Sequence, residues 1–179
     1  MIIGITGGSG TGKSSIARML GFDVIDADKL YHELLAVNTT LQAELTEEFG
    51  TCDREGLAKI VFADRKELRK LNTITFKYSL AAIESKIPPG GDVVIDAPLL
   101  FESGLAAKCD VTVAVLASKD VRIKRIMERD GLTSEQAQTR INAQKSNDFF
   151  INNADIVIQN NDDDLPQTVS ALKAALFEK

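Results

Sequence analysis

The first fifteen residues, 1–15, read MIIGITGGSGTGKSS. Ile2, Ile3 and Ile5 form a short apolar run that reads as a buried strand ending at Thr6. Four glycines between Gly7 and Gly12 break the pattern, and Lys13 to about Leu20 reads as the following helix. Glycine, four residues, then Gly-Lys-Ser between a strand and a helix is the phosphate-loop pattern. Without side chains, the glycines let successive backbone N–H groups turn inward around phosphate oxygens. Gly8, Ser9, Gly10, Thr11, Gly12, Lys13, Ser14 and Ser15 are therefore the expected triphosphate ligands. Lys13 should reach the β and γ phosphates, and the Ser14 hydroxyl should enter a Mg²⁺ shell.

Outward from this loop, the spacing predicts an α/β chain with a five-stranded parallel sheet. Strands are expected at 22–25, 93–95, 110–116 and 154–158, in addition to the first. From 29 to 87 there is no long strand. Leu30, Leu34, Leu35, Leu41, Leu45 and Phe49 recur at helical spacing, as do Leu57, Ile60, Val61, Leu68, Leu71, Ile74 and Tyr78. This segment reads as a helical insertion, closed by Pro88-Pro89-Gly90-Gly91. Residues 1–28 and 88–179 then form the nucleotide-binding core. Helices about 119–129 and 134–143 follow the fourth strand, with Thr133 and Ser134 competing as the cap of the second. A polar turn is expected at 160–164 and a last helix at 165–177.

In a parallel sheet, ligands gather at the carboxyl ends of the strands. Asp26 and Asp28 follow the second strand. Asp28 is the expected proton acceptor for a substrate hydroxyl, while Asp26 is either a second acid or a helix cap. Asp96 ends the third strand; it is a candidate for water-mediated Mg²⁺ coordination or, failing that, a loop cap before Pro98. Arg122, Arg125 and Arg129 recur at spacings of three and four, and Arg140 and Lys145 lie beyond them. Helices joined at Gly131 make a candidate lid over about 119–150, with Arg125 and Arg129 neutralising phosphoryl charge. The bland reading of these arginines is surface pairing with Glu128, Asp130 or Glu135.

The net charge of -5 argues against a broad nucleic-acid face. Cys52 and Cys109 lie apart from each other and from His32, the one histidine, so no zinc pattern is present. No apolar stretch approaches the ~20 residues of a membrane span. The start is too short to read as a signal peptide, and a cytoplasmic protein is expected.

The segments Thr6–Ser15, Val24-Ile25-Asp26-Ala27-Asp28, Asp53-Arg54 with Val61-Phe62, Leu71-Asn72, Asp96-Ala97-Pro98-Leu99-Leu100-Phe101-Glu102, Arg125 with Arg129, Arg140 with Gln144, and Ala154-Asp155 leading to Asn160 occur in this order. With them the chain resembles the dephospho-coenzyme A kinase family over nearly its whole length. The resemblance implies a phosphate-loop hydrolase-like fold. The implied reaction is ATP-dependent, Mg²⁺-assisted phosphorylation of the ribose 3′-hydroxyl of dephospho-coenzyme A. It places the proton acceptor at Asp28 and the phosphate-contacting arginine at Arg125. Lid contacts fall at Arg129 and Arg140, with Gln144 nearby, and Arg54 and Glu102 line the acceptor side. The insertion at 29–87 becomes the acceptor-binding lobe, and His32 a surface or substrate contact. Tyr31 and Phe76 read as core before they read as stacking platforms.

The chain departs from the family pattern in several places, among them a short helix after the phosphate loop. Phe76-Lys77 stands where the family carries His-Pro, and the Asn147–Ile151 stretch with Phe149-Phe150 lacks the usual basic residue before Ala-Asp. These departures keep open a competing reading, a kinase of the same architecture with another acceptor. A third reading is a nucleotide-binding regulator without turnover. No guanine-reading Asn-Lys-x-Asp segment is present, since Lys145-Ser146-Asn147-Asp148 does not match. A monomer that carries its own lid and arginines is the simplest expectation.

Overall fold

A computed structural model describes residues 1–161 and 164–177. Asp162 and Asp163, within the turn expected at 160–164, lie outside the described residues. The chain divides into two compact units, residues 1–24 with 88–179, and residues 25–87. The expected boundary was four residues later, at 28/29.

The first unit is built on a five-stranded parallel sheet of order β2-β3-β1-β4-β5. Its strands are β1 (Ile2–Thr6), β2 (Asp23–Asp26), β3 (Val93–Asp96), β4 (Val111–Leu116) and β5 (Ile156–Gln159). β1, β3 and β4 are buried on both faces, which is why they read as continuous apolar runs. β5 is an edge strand, and its residues alternate between half-buried and exposed. It begins two residues later than expected because Asp155 is otherwise engaged. The Asp155 carboxylate accepts the Thr112 N–H at 2.8 Å and the Thr112 hydroxyl at 2.7 Å.

Alternation along β4 sorts the two faces. Val113 and Val115 pack with Ile3, Ile5, Ile16 and Ala17, under Val169, Leu172 and Leu176 of α9 (Leu165–Phe177). Ala114 and Leu116 face the other way, onto Phe150 of α8 (Asn147–Asn153). Phe149 meets Phe101 edge-on at 6.0 Å between ring centres. The Phe149-Phe150 departure is thus a packing pair: the two rings fill the space between β4 and the Phe101 turn. Three further helices of this unit are α1 (Lys13–Met19), α6 (Lys119–Asp130) and α7 (Ser134–Asn142). Thr133, and not Ser134, caps α7: its hydroxyl accepts the Gln136 N–H, while the Gln136 side chain accepts the Thr133 N–H.

The second unit holds α2 (Ala27–Val37), α3 (Thr39–Phe49), α4 (Arg54–Ala63) and α5 (Arg65–Lys86). Each starts behind a carboxylate or amide cap. Asp26, Asn38, Asp53 and Asp64 accept N–H groups of the first turn at 2.9, 2.9, 3.0 and 2.7 Å. A cap of this type contributes about 1 kcal/mol. The apolar faces meet in a core of Leu41, Leu45, Leu57 and Leu71, joined by Leu34, Phe49, Ile74 and Tyr78. Lys77, of the Phe76-Lys77 departure, pairs with Glu44 at 3.1 Å, and Glu44 also accepts from the Tyr78 hydroxyl at 2.6 Å. No described helix is long and apolar enough to cross a membrane.

Candidate active site

Sheet register brings the first two components together. β1 and β3 run parallel with Ile5 opposite Asp96, so the acid at the end of β3 lies beside the start of the glycine loop. The loop itself uses backbone conformations that favour glycine: Gly7, Gly10 and Gly12 have φ of +149°, +80° and +86°. Space is a second constraint. A Cβ at Gly8 would strike the Arg122 guanidinium, and one at Gly12 would strike the Asn160 amide.

Lys13 Nζ donates to Asp96 Oδ1 at 2.5 Å and lies 3.5 Å from Ser14 Oγ. The two charged side chains are 14% and 4% exposed. A cation and an anion this buried must neutralise each other, because neither keeps enough water to be stable alone. Asp96 is therefore not a loop cap. Its carboxylate holds the loop ammonium, with the Ser14 hydroxyl alongside.

The loop is held by three more side chains, Arg122, Gln144 and Asn160. Arg122, 6% exposed, donates from Nε to the Ser9 carbonyl at 2.8 Å and from Nη2 to Gln144 Oε1 at 2.7 Å. Burial lowers its pKa from the ordinary guanidinium value. Gln144 Oε1 also accepts the Ser9 N–H at 3.0 Å, and its Nε2 donates to Ser9 Oγ at 2.9 Å. Gln144, expected as a substrate contact, uses both ends of its amide on Ser9 and Arg122 in this structure. Asn160, 1% exposed, donates from Nδ2 to the Thr11 carbonyl at 2.7 Å. Arg125 Nη1 donates to the Asn160 carbonyl at 2.9 Å, with the Gly10 carbonyl at 3.5 Å.

Arg129 and Arg140 converge on Asp130. Arg129 binds it through two nitrogens, at 2.8 and 2.9 Å, and Arg140 through Nη1 at 2.5 Å. The Arg129 hydrogen bonds, with Arg140 assisting, pull the Asp130 carboxyl down to about 2. In the geometry seen here both arginines make the surface pairing with Asp130. Glu102, on the turn after β3, has one buried carboxylate oxygen without a hydrogen-bond partner among the described residues.

The remaining candidates belong to the helical unit. Asp26 caps α2, the structural one of its two readings. Asp28 is exposed in the first turn of α2, and His32 is exposed one turn later on the same helix. The Tyr31 and His32 rings lie 5.6 Å apart. Tyr31 is half-buried, and burial raises its pKa against the opposing effect of the Arg54 charge. Arg54 is exposed at the start of α4, directly after its cap Asp53.

Two residues of the loop cradle were given no role by the sequence reading, Arg122 and Asn160. Arg122 stood in the arginine row, three residues before Arg125, and Asn160 follows the last strand, where ligand-side residues gather. Among the described residues no group of three or more His, Cys, Asp or Glu side chains is arranged to hold a metal ion. The donors that do fit Mg²⁺ are the Ser14 hydroxyl and Asp96, a small set suited to a cation that keeps waters and takes phosphate oxygens.

A family model described as dephospho-CoA kinase matches residues 1–165. A dephospho-CoA kinase of Fusobacterium nucleatum is 38% identical over 174 residues, with 90% of each chain covered. Among solved structures, that of TT1252 from Thermus thermophilus superposes with a TM-score of 0.79 at 31% identity, covering 99% of this chain and 97% of the other. A dephospho-CoA kinase from Campylobacter jejuni gives a TM-score of 0.68 at 26% identity, with the same coverage. With a phosphate loop backed by its lysine and acid, on a sheet shared with these proteins, the chain belongs to the dephospho-CoA kinase family of small-molecule phosphotransferases.

Proposed function

We propose that the protein transfers the γ-phosphoryl group of ATP to the ribose 3′-hydroxyl of dephospho-coenzyme A, giving coenzyme A and ADP. The observation that carries this reading is the buried Lys13–Asp96 pair at the foot of the glycine loop. A buried ammonium held by one carboxylate is poised to exchange it for phosphate oxygens. Backbone N–H groups of Gly8 to Ser15 and the Lys13 ammonium hold the triphosphate. Ser14 and, through water, Asp96 would hold Mg²⁺, which would supply neutralising charge to the triphosphate. Arg125 adds positive charge at the loop, and Arg129 with Arg140 trade Asp130 for nucleotide phosphates.

Asp28 accepts the proton of the acceptor hydroxyl as that oxygen bonds to phosphorus and the β–γ bridging oxygen departs with ADP. Asp28 stands exposed in the first turn of α2, and a carboxylate is a suitable general base for a substrate hydroxyl. His32, Arg54 and Glu102 are assigned to acceptor binding in this reading, and the protein works in the cytoplasm as a monomer.

The test is mass-spectrometric detection of product from the protein, Mg-ATP and dephospho-coenzyme A. A gain of one phosphoryl group on the ribose 3′-hydroxyl is the expected result. Intact ATP binding with no product on this acceptor would overturn the acceptor assignment and direct a screen of other alcohols and nucleotides.

A further inference from the structure

Two carbonyls of the glycine loop are held by side chains distant in sequence. Arg122 Nε takes the Ser9 carbonyl at 2.8 Å, and Asn160 Nδ2 takes the Thr11 carbonyl at 2.7 Å. In a planar trans peptide the N–H points opposite to the carbonyl of the same unit. Arg122 therefore sets the direction of the Gly10 N–H, and Asn160 that of the Gly12 N–H. Both side chains are buried, so they are placed to act on the loop and not on solvent.

Each is held at some cost. Asn160 Oδ1 is buried without a partner among the described residues, which is unfavourable for an amide oxygen. What that side chain retains is its grip on Thr11. Arg122 is a desolvated cation whose second arm is fixed by Gln144, and Gln144 also accepts the Ser9 N–H. The backbone of Arg122 lies close enough to Gly10 that an added Cβ there would meet it at 2.7 Å. Guanidinium, amide and loop are thus packed as one piece.

We propose that Arg122 and Asn160 are positioning residues of the phosphate loop, aiming the Gly10 and Gly12 N–H groups at nucleotide phosphate, with Gln144 steering Arg122. This rests on the reading of the loop as a nucleotide site. Neither residue touches the phosphate; each acts through a peptide plane.

The experiment titrates Mg-ADP by calorimetry into the wild-type chain, Arg122→Lys and Asn160→Ala, and records the ³¹P resonance of the bound β-phosphate. Lysine keeps the buried cation but cannot span the Ser9 carbonyl and Gln144 at once in one planar fork. Each variant should bind about tenfold more weakly, the equivalent of one hydrogen bond at a charged ligand. The β-phosphate resonance should move from its wild-type position, which a merely smaller folded fraction would not cause. Wild-type affinity with a wild-type resonance in the variants overturns the proposal alone. So does weakened binding that tracks the unfolded fraction while the resonance stays fixed. No binding by the wild-type chain overturns the nucleotide-site reading and this proposal with it. Should Asn160→Ala not fold, Arg122→Lys decides the matter by the same two readouts.

Discussion

Asp96→Asn is the perturbation that most directly tests the electrostatics of the loop. The substitution preserves shape and removes the charge that Lys13 meets at 2.5 Å. Removing one partner of a fully buried ion pair costs about 3–5 kcal/mol, because the other charge is left desolvated. Lys13 retains 14% exposure and its approach to Ser14 Oγ, so the lower figure of about 2–3 kcal/mol applies. For a chain of this size that is a fall of roughly 5–10 °C in Tm.

A double-mutant cycle with Lys13→Met separates the pair from the shape of the site. With both charges gone there is no orphan, and the double variant should recover about 2 kcal/mol relative to the sum of the singles. Urea unfolding followed by far-ultraviolet circular dichroism measures all four chains, with a shared slope as the check that unfolding exposes the same surface. Additivity to within about 0.5 kcal/mol would refute the reasoning. It would mean that water screens the pair to the value of an exposed one, about 0–1 kcal/mol.

Three further outcomes follow from the site and its surroundings. Burial, with Asp110 and Asp155 nearby, pushes the Cys109 thiol up to about 11. At pH 8 it is then about 0.1% thiolate against about 25% for an ordinary thiol, so alkylation by iodoacetamide should be slower by about two orders of magnitude; peptide mass spectrometry showing Cys109 labelled at the ordinary rate would contradict this. Asp130 is held at about 2, below its unfolded value of about 3.9, so its contribution to stability is fully present above pH 4 and is lost as pH falls through about 2. A carboxyl ¹³C titration should find that low midpoint, and Arg129→Ala should raise it; an ordinary midpoint in the wild-type chain would show that the two arginines sit elsewhere in solution. Asp28→Asn should abolish turnover and leave Mg-ATP affinity unchanged, measured by coupled assay and calorimetry; normal turnover would remove Asp28 from the role of proton acceptor.

What was legible in the sequence divides by the range of the interaction. The strand runs and the glycine loop are local patterns, and the capping carboxylates of the helical unit act within three residues of themselves. Asp96 needs one step more: strand ends share an edge in a parallel sheet, so an acid ending β3 had to lie near the loop after β1. Arg129 and Arg140 show where that logic weakens. Lid contact and surface pairing were both open for these charges, and Asp130, adjacent to Arg129, is the partner they take in this structure.

The grip on the loop was illegible for a different reason. Arg122, Gln144 and Asn160 reach back over 113, 135 and 149 residues, and apart from the Gln144–Ser9 hydroxyl bond they do so to backbone groups. A backbone carbonyl has the same chemistry at every position, so no residue type at 9 or 11 announces its partner. The trace they do leave is in the glycines. The pattern is read as room for phosphate, yet at Gly8 and Gly12 a Cβ would also strike Arg122 and Asn160. At these two positions the absence of a side chain serves the packing of Arg122 and Asn160 against the loop, and a substitution there would displace the very side chains that orient its N–H groups.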